Sequence, residues 1–189
     1  MLKSEARKIY RERRNAIAPA EREKLDDLLL IQFQKLNLPF LHTVMSYFPI
    51  EENKEPNTNL FTEFLEFRNP ALNLAYPKIN AETRTLQAVL TNADTAFQKG
   101  IYDVPEPIGD HFISPGAFDL VLVPLLICDH KGFRVGYGKG FYDRYLPYCR
   151  DNCIKIGFSY FDPVAEITDK NDFDVPLDLC ITPDNVYVF

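Results

Sequence analysis

A chain of 189 residues with 46% hydrophobic content, 15 Phe and 10 Tyr is long enough to bury one sizeable core, and its 25% of charged residues set it apart from disordered and fibrous sequences. The net charge of −6 argues against a general nucleic-acid surface, which needs clustered Lys and Arg to meet phosphate backbones. No apolar run approaches the ~20 residues that span a bilayer, and the N-terminus lacks the layout of a secretory signal. A cytoplasmic monomer of one domain over residues 1–189 is therefore expected, with neither membrane nor nucleic acid as partner.

In chain order, Leu2, Ala6, Ile9, Arg13, Ala16 and Ile17 fall near one helical face before Pro19, which predicts a helix over residues 2–17. Lys3, Arg7, Arg11 and Arg14 share a neighbouring face. The first 14 residues hold six basic and two acidic side chains, a surplus of +4 that leaves −10 on the rest. A basic arm on an acidic body suits a small anionic ligand. A second helix is predicted over residues 20–36, with Leu25, Leu28, Leu29, Ile31 and Phe33 inward. Residues 42–48 read as a strand, residues 50–57 as a polar loop and residues 58–67 as a helix. Strands follow at 72–76 and 85–90, and the proline-rich stretch 100–116 reads as a surface loop.

The clearest strand is Asp119-Leu120-Val121-Leu122-Val123-Pro124, an apolar run closed by proline. A short helix near residues 141–150 and strands at 154–158, 179–181 and 186–188 complete the chain. Strands alternating with helices predict a three-layer α/β/α fold around an open, mostly parallel sheet. Cys128, Cys149, Cys153 and Cys180 show no paired CxxC spacing and read as free, buried thiols, and the widely spaced His42, His111 and His130 form no metal-ligand pattern.

Residues 132–144 stand apart, because four of the eight glycines (Gly132, Gly136, Gly138, Gly140) fall within nine residues. Glycine permits the positive φ and close backbone approach that let amide N–H groups converge on phosphate oxygens, and a helix starting after Gly140 would point its N-terminus there. Arg134 and Lys139 add full charges. The spacing is neither a Walker A motif nor a dinucleotide fingerprint, and a GxGxG string also describes an ordinary tight turn.

The strings FDLVLVP (118–124) and GFRVGYGKGFYDRYL (132–146) resemble the signature of the 5-formyltetrahydrofolate cyclo-ligase family. EPNT (55–58), YPK (76–78), GIYDVPEP (100–107) and FDVPLD (173–178) follow the family's order. The resemblance implies ATP-dependent cyclisation of 5-formyltetrahydrofolate to 5,10-methenyltetrahydrofolate, with release of ADP and phosphate. It implies ATP binding by Lys3, Ser4 and Arg7 and by Arg134, Val135, Gly136, Tyr137, Gly138, Lys139, Gly140, Phe141 and Tyr142. Arg134 and Lys139 would be the catalytic cations, and Asp143 and Asp174 would hold Mg²⁺. Ile50, Glu55, Tyr137, Phe141 and Tyr142 would contact the folate, with Glu55 accepting from the donor edge of the pterin.

The chain departs from the family's pattern at Pro56-Asn57 after the glutamate, at Phe173 where a polar residue is usual, and near Asp162, where a glutamine is expected. Two other readings remain open. The glycine-rich turn could serve a different phosphate in an enzyme of similar architecture, such as a sugar-phosphate isomerase or a CoA transferase. Alternatively, the chain could bind folate or nucleotide without turnover.

Overall fold

The structure is a computed structural model describing residues 1–189. The chain opens with helices α1 (Lys3–Ala16) and α2 (Pro19–Gln34), then strand β1 (Thr43–Met45) and helix α3 (Thr58–Arg68). Strands β2 (Asn73–Ile79), β3 (Leu86–Thr91), β4 (Phe97–Lys99), β5 (Pro105–Pro107), β6 (Phe112–Ile113), β7 (Leu120–Leu122), β8 (Ile127–Cys128) and β9 (Arg134–Val135) follow. Helix α4 (Phe141–Tyr145) and strands β10 (Ile154–Phe158), β11 (Leu179–Ile181) and β12 (Val186–Val188) end it.

Eight strands form one sheet in the order β12-β11-β10-β7-β1-β2-β3-β6. The neighbours from β11 through β2 pair in parallel, while β12, β3 and β6 join antiparallel at the two edges. Parallel strands covered on both faces read as continuous apolar runs, which is why Leu120-Val121-Leu122-Val123 was legible. The period of two divides that run between two cores. Leu120 and Leu122 pack with Val44, Leu74, Ile156 and Phe158 beneath α2 and α3, where Phe33, Phe61 and Phe158 form an aromatic centre. Val121 and Val123 face the opposite side with Met45, Ala75, Phe118, Tyr145 and Leu146. The helical layer on that side is thin, because α4 has only five residues and the adjoining 3₁₀ turn three.

Helix α1 packs on the β8–β9 ribbon, through Ala6, Tyr10, Leu126, Ile127 and Val135. Its inward face is rotated from the one predicted: Ala6 and Ile17 are buried as expected, but Leu2, Ile9, Arg13 and Ala16 are exposed, and Tyr10 and Arg14 are buried instead. Lys3, Arg7 and Arg14 turn inward, where the body offers them a carboxylate and carbonyl oxygens. Helix α2 likewise buries Asp26 with Leu29 and Phe33 and leaves Ile31 exposed. Asp26 is tied in by Tyr160 Oη (2.7 Å) and Asn57 N (3.2 Å), which donate to its carboxylate.

Three other segments depart from expectation. Residues 46–50 leave the strand early to line a cleft, and residues 76–79 continue β2. The proline-rich stretch contains β5, paired with β4, and β6 on the sheet edge. Prolines sit at such edge positions because no ladder hydrogen bond is lost there.

Candidate active site

A cleft of about 340 Å³ opens beyond the carboxyl ends of β1, β7 and β2, the usual place for ligands in open α/β sheets. Tyr47, Phe48 and Ile50 follow β1, Pro124 follows β7, and Pro77 and Ile79 come from the end of β2. The glycine-rich segment and α1 form one wall. Leu86 and the β4–β5 hairpin, with Tyr102, Val104 and Glu106, form the other.

At one end the charges are positive. Lys3 Nζ donates to both oxygens of Asp174 at 2.7 and 2.5 Å, and Arg7 Nε donates to Gly136 O at 3.0 Å. Gly138 has φ +85°, and a Cβ there would stand 3.3 Å from the Arg7 guanidinium carbon, so glycine lets the arginine lie on the turn. Arg134 Nη2 donates to Asp143 at 2.7 Å while Nη1 donates to Val175 O. Burial holds this guanidinium below its ordinary range, and Asp143 opposes the effect. Lys139 is exposed and stands 5.4 Å from the centre of the Tyr102 ring. Gly140 starts α4 at φ +67°, but five residues carry little macrodipole, so the expected helix-terminal charge is small.

At the other end lies Glu55, only 2% exposed although it sits in a polar loop. Its carboxylate accepts from Ile50 N at 2.7 Å and from the Tyr137 hydroxyl. Burial raises Glu55 above the usual carboxylate range, against the pull of Tyr137, Ile50 N–H, Arg14 and Arg22. Arg22 on α2 fixes the loop from behind, donating to Glu55 O at 2.8 Å and pairing with Glu51 at 2.6 Å. Lys54 Nζ ties the loop to the end of α1 through Asn15 O and Ile17 O, both at 2.6 Å. Tyr142 lies beside this end with a buried hydroxyl that has no partner. Glu106 presents a further carboxyl group to the cleft. It accepts from Ile79 N at 3.1 Å and is raised by burial.

The structure brings Lys3, Arg7, Ile50, Glu55, Arg134, Gly136, Tyr137, Gly138, Lys139, Gly140, Phe141, Tyr142, Asp143 and Asp174 to this one cleft. Two predicted residues fall outside it. Ser4 is exposed at the edge of the helix face that carries Lys3 and Arg7, and the Val135 side chain is buried between β9 and α1. Arg134 also differs from expectation, since both of its terminal nitrogens are engaged by protein. Lys139 and Arg7 are the cleft cations without a carboxylate partner. Asp174, which could have been a hydrated loop acid, is paired with Lys3.

Sequence reasoning passed over Tyr47, Phe48, Glu106 and Arg14. Of these only Arg14 carried a signal, the helical period that puts it on one face with Lys3 and Arg7, and it was given no role. The departures have local explanations at Asn57, whose Oδ1 caps α3 by accepting from Asn59 N, and at Asp162, which accepts from Tyr187 Oη at 2.9 Å outside the cleft. Phe173 is 80% exposed, and nothing in the structure explains it.

No cluster of three or more His, Cys, Asp or Glu side chains is placed to hold a metal by protein ligands alone. Asp143 and Asp174 in the same cleft do fit a hard cation that takes one or two carboxylates and completes its shell with phosphate and water. No helix is long and apolar enough to cross a membrane.

Comparison with known proteins agrees over the whole chain. The model of the 5-formyltetrahydrofolate cyclo-ligase family matches residues 1–183. A 5-formyltetrahydrofolate cyclo-ligase of Mycoplasma pneumoniae is 28% identical over 184 residues, covering 96% of this chain and 98% of that protein. The NMR structure of Aquifex aeolicus 5,10-methenyltetrahydrofolate synthetase superposes with a TM-score of 0.81 at 28% identity, over 100% of this chain and 93% of that one. A 5,10-methenyltetrahydrofolate synthetase from Mycoplasma pneumoniae superposes with a TM-score of 0.74 at 26% identity, over 96% and 98% of the two chains.

Proposed function

The chain belongs to the 5-formyltetrahydrofolate cyclo-ligase family, and we propose that its cleft closes 5-formyltetrahydrofolate to 5,10-methenyltetrahydrofolate using ATP, releasing ADP and phosphate. The observation that carries this reading is the polarity of the cleft. Cations and glycine backbone gather at one end, and a buried carboxylate among aromatic rings lies at the other. A triphosphate and a pterin need those two environments side by side.

The formyl oxygen is a poor leaving group until it carries a phosphoryl group. Transfer of the γ-phosphoryl onto it makes an iminophosphate. N10 then attacks the formyl carbon, N10 loses its proton, and the carbon–oxygen bond breaks to release phosphate. Such transfer is mainly positioning and charge stabilisation, so no protein nucleophile is needed.

Lys3, Arg7 and the turn from Gly136 to Gly140 hold the phosphates. Lys139 meets charge on the transferring group, and Arg134 fixes Asp143. Glu55 accepts from the pterin donor edge, while Ile50, Tyr137, Phe141 and Tyr142 frame the ring. Asp143 and Asp174 would hold Mg²⁺, which when bound neutralises phosphate charge. The site draws on residues 3 to 174, which supports one domain acting as a unit. The four free cysteines suit a reducing, cytoplasmic compartment.

The test is the absorbance of the methenyl product, followed with and without ATP and Mg²⁺. Product is expected only with both. Product without ATP, or tight ligand binding with no product, would overturn the reading in favour of a different reaction or of a binder.

A further inference from the structure

Nothing in the reaction above uses Arg14, yet only 2% of this cation is exposed. Taking a guanidinium out of water costs several kcal/mol unless its charge and protons are met. Its Nη1 donates to Leu125 O at 3.1 Å and its Nη2 to the Tyr137 hydroxyl, while Nε has no partner. The opposite charge lies one hydrogen bond further on, because the same hydroxyl donates to Glu55. The chain Arg14–Tyr137–Glu55 thus joins α1, the glycine-rich segment and the loop before α3, three segments distant in sequence.

We infer that Arg14 is a positioning residue for folate binding: acting through the Tyr137 hydroxyl, it fixes the orientation of Glu55 and keeps that buried carboxylate ionised. This rests on the reading of Glu55 as the pterin acceptor. A hydroxyl between a cation and an anion is polarised along one direction, so its hydrogen bond favours the charged form of Glu55.

The groups that face Glu55 from the surrounding elements are few. Arg14 comes from α1 and Arg22 from α2, the Ile50 N–H from its own loop, Tyr47 from the segment after β1, and Tyr137 and Tyr142 from the glycine-rich wall. Arg22 is neutralised by its pair with Glu51. Arg14 is the remaining uncompensated positive charge against burial. The same helix carries Lys3 and Arg7 toward the phosphates, so ATP affinity reports whether α1 itself has moved.

The experiment measures Kd for 5-formyltetrahydrofolate by calorimetry from mildly acidic to mildly alkaline pH, together with the KM for ATP. The proteins are wild type, Arg14→Gln, Arg14→Lys and Tyr137→Phe. Arg14→Gln is expected to weaken folate binding about tenfold, or 1.4 kcal/mol, with the KM for ATP within about twofold of wild type. Folate affinity is lost as pH falls through the Glu55 pKa. Without Arg14 burial acts less opposed, so this loss should begin at higher pH. Tyr137→Phe, which severs the link with Arg14 still present, should give the same displacement, and combining it with Arg14→Gln should add little. Arg14→Lys should restore the position of the pH limb.

An unmoved pH limb in Arg14→Gln would overturn the assignment whatever Tyr137→Phe shows, because the Tyr137 hydroxyl also bonds Glu55 directly. So would equal losses of folate and ATP affinity that follow a fall in thermal stability, which mark a purely structural arginine. Wild-type protein that binds folate with this pH dependence but yields no methenyl product sinks the cyclo-ligase reading and leaves the Arg14 inference standing. Absence of folate binding sinks both.

Discussion

At the glycine-rich end of the cleft the cations come from α1 and the glycine-rich segment, and all but the buried Arg134 reach water. Lys139 is exposed, and Lys3 and Arg7 are half-buried. At the Glu55 end the carboxylate, the cation behind it and the hydroxyl between them come from three separate segments, and Glu55 and Arg14 are each only 2% exposed. The two ligands proposed for the cleft would account for the difference. A triphosphate brings enough charge to attract solvated cations, and flexible side chains close on it when it arrives. A pterin edge offers only neutral N–H donors, so its acceptor must be charged, desolvated and aimed before binding.

The sharpest way to break this comparison is to remove charge from the first end. Lys139→Ala is expected to lower kcat about 10²–10³-fold, the scale of loss when a group that meets transition-state charge is removed. Its thermal midpoint should hold, since the side chain is exposed. Arg134→Ala should lose turnover on the same scale and also lower the midpoint, because Asp143 and Val175 O lose their donor. Steady-state kinetics with thermal melts separates the two, and near-wild-type turnover in both variants would remove the catalytic reading of this end.

At the second end, Glu55→Gln should raise the folate KM about 10–100-fold, in line with the roughly 1.5–3 kcal/mol carried by a hydrogen bond to a charged group. The KM for ATP should stay constant. The substitution is compatible with the fold. The amide oxygen can keep the Ile50 N–H, and the amide nitrogen can donate to the Tyr137 oxygen, whose proton then turns away.

Stability should move in the opposite direction from binding. The folded-state pKa of Glu55 is raised by burial, so its protonated form favours folding and that contribution is lost as pH rises through the folded pKa. The glutamine variant should therefore melt no lower than wild type at neutral and alkaline pH, and the two should converge in acid. A clearly lower midpoint at neutral pH would mean that the carboxylate serves the fold rather than the ligand.

What was legible in the sequence follows the same division. The glycine-rich segment announced itself because backbone phosphate recognition needs glycines and cations at close spacing, a local requirement written in one stretch. The sheet was legible through Leu120 to Val123, since burial on both faces removes polar alternation. Glu55 was reached by resemblance alone, because its surroundings, Glu51, Glu52 and Lys54, describe a solvated loop. Arg14 was hidden by the rule that charged helix faces are hydrated, which fails once tertiary neighbours supply carbonyls and a hydroxyl. Glu106 was hidden in a proline-rich stretch that reads as surface loop until β5 pairs with β4.

Two glycines of one segment offer the finest test of the comparison. Gly132 has φ +81°, and a Cβ there would lie 2.8 Å from the Phe189 ring and 2.8 Å from Leu177 O, a backbone atom that cannot yield cheaply. Gly132→Ala should cost about 2 kcal/mol of stability. That corresponds to a fall of roughly 4–8 °C in a chain of this size, and the KM for ATP in the folded fraction should not change. Gly138, at φ +85°, would meet only the mobile end of Arg7 at 3.3 Å. Gly138→Ala should carry about 1 kcal/mol of backbone strain, a fall of only roughly 2–4 °C, and push Arg7 off Gly136 O, so the KM for ATP should rise about fivefold. The same chemical change, six positions apart, is thus expected to register in melting at one glycine and in nucleotide affinity at the other. If Gly138→Ala instead lowers the midpoint as far as Gly132→Ala and leaves the KM for ATP untouched, the turn is packing rather than cradle, and the positive end of the cleft serves no triphosphate.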